Sequence, residues 1–372
     1  MEDYAPTILP IGDTLYFTTS SGKTQIFKNA HPEKDTWEAV DTKLTYRLHD
    51  PAFYSDEDGK VYMYWGCSDK DPIMGVEVDP KDGFRALGEA KALIAHHGDK
   101  YGWEVPGKNN EEPRQGWNEG PCMLKYEGRY YLQYAAPGTQ YRIYGDGIYV
   151  GDTPLGPFEY VEDNPFSFKP GGFIGGAGHG HTFRDKYGNY WHVASMIISV
   201  RHMFERRLGL FPVAVSSRNG IYAHTVWSDY PFYIPNRKVD FDKTDLSVGW
   251  NLLSYRKPVQ ASSSLAGYEP GNANDEQIET WWAAQTGKKG EWLQVDLETP
   301  MLVNSIHVNF ADHHFKVFAP HPPVVYQFFI EGSADGKKWM NLFDERENGK
   351  DEPHRLFTLD KPVKVRYLRI CN

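Results

Sequence analysis

No basic stripe runs through this sequence. Its 40 Lys and Arg are outnumbered by 50 Asp and Glu, giving a net charge of −10 and a pI near 5.8. Phosphate binding needs clustered Lys and Arg. Nucleic acid is therefore not an expected partner, and neither is an anionic membrane surface. Cysteine is scarce. Cys67, Cys122 and Cys371 are odd in number and widely spaced, which yields neither a zinc pattern nor a disulfide framework. They read as buried free thiols. No apolar run reaches transmembrane length, and WHVASMIISV (191–200) is a core strand at most. The opening MEDYAPTILP is acidic and reads as no signal peptide. No long stretch shows helical periodicity, and no motif calls for an organic cofactor.

Aromatic residues are plentiful instead, at 15% with 24 Tyr and 11 Trp. Such rings fill cores and stack on apolar ligand faces, and a neutral glycan suits both the rings and the charge. The 35 Gly and 25 Pro are scattered rather than clustered, as expected of many short strands joined by turns. One unit recurs: a strand, an Asp- or Gly-rich turn, a strand. It is seen in GDTLYFTTSS (12–21), DPAFYSDEDGKVYMYWGCS (50–68), EGPCMLKYEGRYYLQYAAPG (119–138) and GHGHTFRDKYGNYWHVASM (178–196). Spacings of roughly 50–70 residues fit propeller blades with long loops. Residues 1–238 read as such a propeller with four visible blades, 239–249 as a linker, and 250–372 as a β-sandwich or jelly roll built from EWLQVDL, MLVNSIHVNF, VVYQFFIEGS and KVRYLRI.

Four segments resemble, in order, the blade motifs of glycoside hydrolase family 43, a five-bladed β-propeller family. They are YAPTI (4–8), HDPAFYSDEDGKVYMYWG (49–66), NEGP (118–121) and GAGHGHTF (176–183), with DTPLGPFEY (152–160) as a further familiar stretch. KPVQASSS, NANDEQIETWWAA, GEWLQVDL, EGSADGKKW and VRYLRI resemble the discoidin, or coagulation factor 5/8 type C, fold that family 32 carbohydrate-binding modules share. The first resemblance implies a glycosidase that inverts anomeric configuration. It implies Glu119 as general acid and Asp50 as the carboxylate that raises its pKa and orients the sugar. Acetal cleavage needs a proton donor on the leaving oxygen and a second carboxyl group to activate water. Burial and a neighbouring negative charge keep the acid protonated. In isolation Glu119 would read as a turn residue beside Gly120-Pro121, and Asp50 as an Asp-Pro turn.

The sequence departs from the family at the general base, an aspartate in an Asp-Pro motif of the first blade. YAPTI matches the second blade, Asp50-Pro51 belongs to the third-blade pattern, and Asp3 is followed by Tyr4. No base is assigned. A fifth blade would need about 50–60 further residues upstream, and RYLRICN stops about one strand short of a closed sandwich. The expectation is a chain cut at both ends.

Sugar contacts are expected from Trp65, Trp117 and Trp103 as stacking faces, and from Arg142, Arg206 or Arg207; the alternatives are core aromatics and ion-paired surface arginines. The resemblance implies that His179 lies near the channel, in reach of the sugar and bearing on a calcium or water cluster, with a hydrogen-bonded core histidine as the alternative; His181 reads as a core histidine. In the second region Asn272, Asp275 and Thr280 match an oxygen-rich calcium loop, with a simple hydrogen-bonded loop as the alternative. Trp281 and Trp282 read as core, and His313, His314 and Phe315 as a loop near a sugar. The expected activity is exo-hydrolysis of plant or algal polysaccharide side chains, of arabinofuranosidase, xylosidase or galactosidase type. The sandwich would hold the enzyme near its polymer, and export follows by family analogy. A non-catalytic glycan binder is the competing reading, because the base is missing. A retaining, invertase-like enzyme is a weaker one, since Gly120 stands where those carry Cys. Oligomeric state is left open.

Overall fold

The computed structural model describes residues 4–20, 24–198, 205–215, 220–311, 313 and 324–372. Asp3, His314 and Phe315 lie outside these. Among the described residues the fold is all-β, with helix confined to short 3-10 turns.

Four antiparallel sheets follow one another along the chain. The first holds β1 (Tyr4–Ile11), β2 (Thr14–Ser20), β3 (Phe27–Asn29) and β4 (Glu38–Ala39). The second holds β5 (Ala52–Ser55), β6 (Val61–Trp65), β8 (Ile73–Asp79), β9 (Arg85–Ala86) and β10 (Lys91–Ile94), while β7 (Cys67–Ser68) leaves it to pair with the third. That third sheet is β11 (Asn118–Tyr126), β12 (Arg129–Ala136), β13 (Gly145–Gly151) and β14 (Phe158–Tyr160). The fourth is β15 (Gly175–Arg184), β16 (Tyr190–Ile197), β17 (Arg206–Val215) and β18 (Ile221–Ala223). Their leading strands touch in series, β1 to β5 to β11 to β15, as the inner strands of propeller blades do.

The packing explains the hairpin sequences. All five residues of β6 are buried, yet they serve two cores. Val61, Met63 and Trp65 face the first sheet with Leu9, Leu48 and Phe84, whereas Tyr62 and Tyr64 face the third with Leu132 and Tyr134. A strand's side chains alternate between its faces, so a sheet packed on both sides needs large apolar or aromatic residues at every position. Strand β12 does the same, with Leu132 and Tyr134 on one face and Tyr131 on the other, against Val213 and Ile221 of the fourth sheet.

The segment expected as a linker docks on the fourth sheet. The Asn189 side chain donates to Arg237 O and accepts from Val239 N, each at 2.9 Å, and Phe241 packs edge-on against Trp191. Beyond it lies a fifth sheet, in the order β19 (Val259–Ala261), β20 (Trp292–Asn309), β23 (His354–Cys371), β21 (Phe329–Ser333) and β22 (Met340–Asp344). EWLQVDL and MLVNSIHVNF, expected as separate strands, run on as the single β20. Between them lies a register break from Asp296 to Met301, where Glu298 takes φ +67° and its N–H is held by Asp296 Oδ1.

Candidate active site

Three segments meet at Glu119, and each bends through a left-handed residue: Asp50 (φ +48°), Gly120 (φ +58°) and His179 (φ +50°). Aspartate and histidine tolerate this region better than most side chains. Asp50 precedes Pro51 at the entrance to β5 and is 7% exposed. Ser20 fastens it: the Asp50 N–H donates to Ser20 Oγ at 2.5 Å, and Ser20 Oγ donates to Asp50 Oδ1 at 3.0 Å.

Glu119 is the second residue of β11, flanked by Ala135 on β12 and by Cys67 on β7. The β11–β12 register breaks between Glu119 and Cys122, at Gly120-Pro121. The turn there must be glycine, because a Cβ on Gly120 would stand 2.6 Å from the His179 ring. Both carboxyl oxygens are engaged. Tyr144 donates its hydroxyl to Oε1, and the Cys67 thiol donates to Oε2 at 3.2 Å. Donor atoms of Asp50, Cys67 and Glu119 all lie within 4.8 Å of one another. Burial, and then the Asp50 charge, raise the Glu119 pKa above the usual carboxylate range; His179, Tyr144 and Cys67 pull it back only in part. Burial and the two carboxylates push the Cys67 thiol up as well, so it stays protonated.

His179 sits opposite on β15, its Nδ1 3.7 Å from Asp50 Oδ2. Its backbone is fixed by Asp146, only 1% exposed, whose oxygens accept the N–H groups of His179 (2.7 Å) and Gly180 (2.8 Å). Asp146 also meets His192 Nε2 at 3.0 Å. The glycines around His179 are spacers: a Cβ at Gly178 would strike the Tyr144 ring at 2.6 Å, and one at Gly180 would strike His192 Nε2 at 2.2 Å.

The other expected contacts divide. Trp65 is not a stacking face; it is 8% exposed, lies in the core between the first two sheets and stacks on Tyr46 at 4.9 Å. Trp103 packs against Tyr134 and donates Nε1–H to Tyr160 OH at 3.0 Å, which makes it a wall of the next core. Trp117, two residues before Glu119, is 37% exposed and keeps a face to solvent. Arg142 packs on Gly175 and reaches Gly172 O at 3.4 Å. Arg206 donates to Thr139 Oγ1 at 2.6 Å, and Arg207 bonds the Arg206 carbonyl at 3.0 Å on the surface. His181 is exposed beside Cys122, at 3.3 Å, and the core histidine of this stretch is His192 instead. Nor are all three thiols buried: Cys122 and Cys371 are, but Cys67 is partly open and belongs to the site.

In the fifth-sheet region Asp275 accepts from Thr280 Oγ1 at 2.6 Å and from Gln277 N at 2.9 Å, and Asn272 Nδ2 bonds Trp281 O at 3.3 Å. This loop closes on its own hydrogen bonds. With one carboxylate, and with the Thr280 proton aimed at it, the trio as arranged does not form a calcium cage. The group at Glu119 does not suit calcium either, since it includes a thiol. Trp282 is tied to Ser263 and Ser264. Trp281, with Tyr268, Asn272, Glu279 and Thr280, instead lines a cleft of about 390 Å³, and His313 packs edge-on against Tyr268 and Trp281.

The profile of glycosyl hydrolases family 43 matches residues 1–216, and that of the F5/8 type C domain matches residues 258–371. The chain belongs to glycosyl hydrolases family 43. Among solved structures, a glycoside hydrolase superposes with a TM-score of 0.52 at 19% identity, covering 100% of this chain and 81% of its own. An endo-1,4-beta-xylanase from Bacteroides thetaiotaomicron gives 0.50 at 21% identity, with 60% and 75% covered. The Xyloglucan PUL GH43B of Bacteroides ovatus gives 0.50 at 16%, with 100% and 73% covered. At these identities the likeness is one of fold. The discoidin-like region is 31% identical over 97 residues to the EGF-like repeat and discoidin I-like domain-containing protein 3 of Mus musculus, covering 24% of this chain and 19%, about a fifth, of that protein.

Within this family 43 chain, sequence reasoning missed the residues that hold Glu119 rather than Glu119 itself. Ser20 reaches Asp50 from the first sheet, Cys67 lies beside Glu119 on β7, and Tyr144 and Asp146 come from the start of β13 in Glu119's own sheet. Tyr144 and Asp146 sit in the same QYRIYGDG stretch that drew attention to Arg142. Nothing in their spacing shows that the chain turns them inward.

Proposed function

We propose that this chain is an inverting, exo-acting glycoside hydrolase in which Glu119 protonates the leaving oxygen. The observation that carries this reading is the Glu119 carboxyl group, partly buried beside Asp50, with its pKa raised above the usual carboxylate range by burial and then by the Asp50 charge. Asp50 is the carboxylate that raises its pKa, and its Oδ2, on the side of His179 Nδ1, would accept a sugar hydroxyl. Trp117 would offer the ring face beside them. Asp50 is not the base. One of its oxygens lies within 4.8 Å of a Glu119 oxygen, while a water-activating pair of carboxyl groups stands about 6.5–9.5 Å apart. The base is assigned to no described residue.

The substrate class we favour is a plant or algal polysaccharide with arabinofuranosyl, xylosyl or galactosyl ends; one structural neighbour is titled a xylanase. The discoidin-like region would then raise the local concentration of polymer, and the protein would work in the periplasm or outside the cell. Among the described residues no helix is long and apolar enough to cross a membrane. The test is turnover of aryl glycosides by the chain and by Glu119→Gln, with the product anomer read by NMR. Loss of at least about 100-fold in the variant on substrates with poor leaving groups supports the acid role. A retained anomeric configuration overturns inversion. Binding without turnover in either protein favours the second reading, a glycan-binding propeller, which the unassigned base supports.

A further inference from the structure

We propose that Asp50, Cys67, Glu119 and His179 form a binding site for a borderline-soft divalent cation, of which Zn²⁺ is the natural example. The donors are two carboxylates, a thiol and an imidazole, and they come from four separate segments: the entrance to β5, β7, the start of β11, and β15. Zinc takes this mixture of oxygen, sulfur and nitrogen ligands, at about 2.0–2.3 Å in a tetrahedron whose corners stand roughly 3.3–3.7 Å apart. Asp50, Cys67 and Glu119 already offer donor atoms within 4.8 Å of one another, with Cys67 Sγ 3.2 Å from Glu119 Oε2; His179 Nδ1, 3.7 Å from Asp50 Oδ2, lies outside that trio and moves inward to complete the tetrahedron.

The arrangement of the remaining oxygens points the same way. Ser20 holds Asp50 Oδ1 and Tyr144 holds Glu119 Oε1. The two oxygens left over, Oδ2 and Oε2, are the ones that face the imidazole and the thiol. Outer hydrogen bonds of this kind orient metal ligands. The backbones are fixed too, by the Cys67–Glu119 strand pairing, by the Gly66 N–H on His49 O at 2.8 Å, and by Asp146 on the His179 N–H. Calcium and magnesium, which take oxygen ligands, are the wrong class. On binding, the metal replaces the thiol proton and any proton on the Glu119 carboxyl group, and these leave to solvent. Binding does not depend on the chain being a hydrolase. That Zn²⁺ would stop turnover, by occupying Glu119, does rest on that reading.

Co²⁺ is the probe, because a thiolate ligand gives it a near-ultraviolet charge-transfer band. Titration of the whole chain is expected to give a saturable, equimolar band. It should be displaced by Zn²⁺, unaffected by excess Ca²⁺, lost in Cys67→Ser and kept in Cys122→Ser. The last variant matters because Cys122 also has an imidazole beside it, His181 at 3.3 Å. His179→Gln should keep the band and weaken affinity at least tenfold, which serves if Cys67→Ser does not fold. No band, a band that follows Cys122, or an affinity indifferent to His179 overturns the site. Metal-free turnover by Glu119→Gln judges the hydrolase reading separately.

Discussion

Tyr144 donates its hydroxyl to Glu119 Oε1 from a ring that is 1% exposed, while Asp50 lies within 4.8 Å of the same carboxyl group. The two neighbours act on Glu119 in opposite senses. A hydrogen bond to a carboxylate favours its charged form, and a second negative charge disfavours it. The alkaline limb of kcat/KM, which reports loss of the acid's proton, should therefore move up in Tyr144→Phe and down in Asp50→Asn. The pH–rate profiles of the two variants check this, and shifts of the same sign would remove Glu119 from the acid role.

Glu119 should also tax the fold. Its folded-state pKa is raised, so the folded protein holds this proton more tightly than the unfolded chain. Stability is fullest below the unfolded glutamate pKa and is lost as pH rises through the higher folded value. Glu119→Gln carries no such charge. Its Tm is expected to exceed that of the parent by ~2 °C or more at alkaline pH, with the gap closing in acid. Calorimetry across that range is the measurement.

Gly120→Ala meets two obstacles at once, a φ of +58° and a Cβ 2.6 Å from the His179 ring. The backbone penalty alone is about 1 kcal/mol. Displacement of His179 should add a loss of activity of at least about tenfold, since small misplacements near the reacting groups are expensive. Tm and kcat/KM together separate the two effects.

Asp146→Asn keeps the shape and loses an acceptor. Two backbone N–H groups and an imidazole converge on the carboxylate. The Asn amide would turn an NH₂ toward one of those donors and leave it unpaired. The expected cost is about 1–3 kcal/mol, read by chemical denaturation.

Chelation should do little to the discoidin-like region. Asp275 is already bonded by Thr280 and Gln277, so removing calcium with EGTA is expected to leave its melting transition in place. A drop of several degrees on chelation, restored by Ca²⁺, would show that the loop rearranges around an ion.

The hairpins, the strand-entrance carboxylates and the change of composition near Val239 were all legible in the sequence. Turn residues such as Asp58-Gly59 and Glu127-Gly128 act locally, and alternation along a strand needs no knowledge of the partner. Trp65 was misjudged because period-2 alternation does not say which face of a doubly packed strand meets ligand. Tyr144 and Cys67 were missed for a related reason: each reaches Glu119 from a part of the chain 25 or 52 residues away in sequence, which no local pattern brings together. The two halves of β20 were read as separate strands because a left-handed Glu298 interrupts the register without ending the ladder.

The short strand β7 leaves the sheet its neighbours form and completes the next one. It works as a tie-rod: Cys67 carries the mechanical reference of the second sheet to the carboxyl group of the third. The spacing between acid and neighbour is thus a gauge of the angle between two sheets. Distant substitutions that tilt one sheet against the other, such as in the shared Tyr64–Leu132 core, should be felt first as a change in the acidity of Glu119, before any loss of fold.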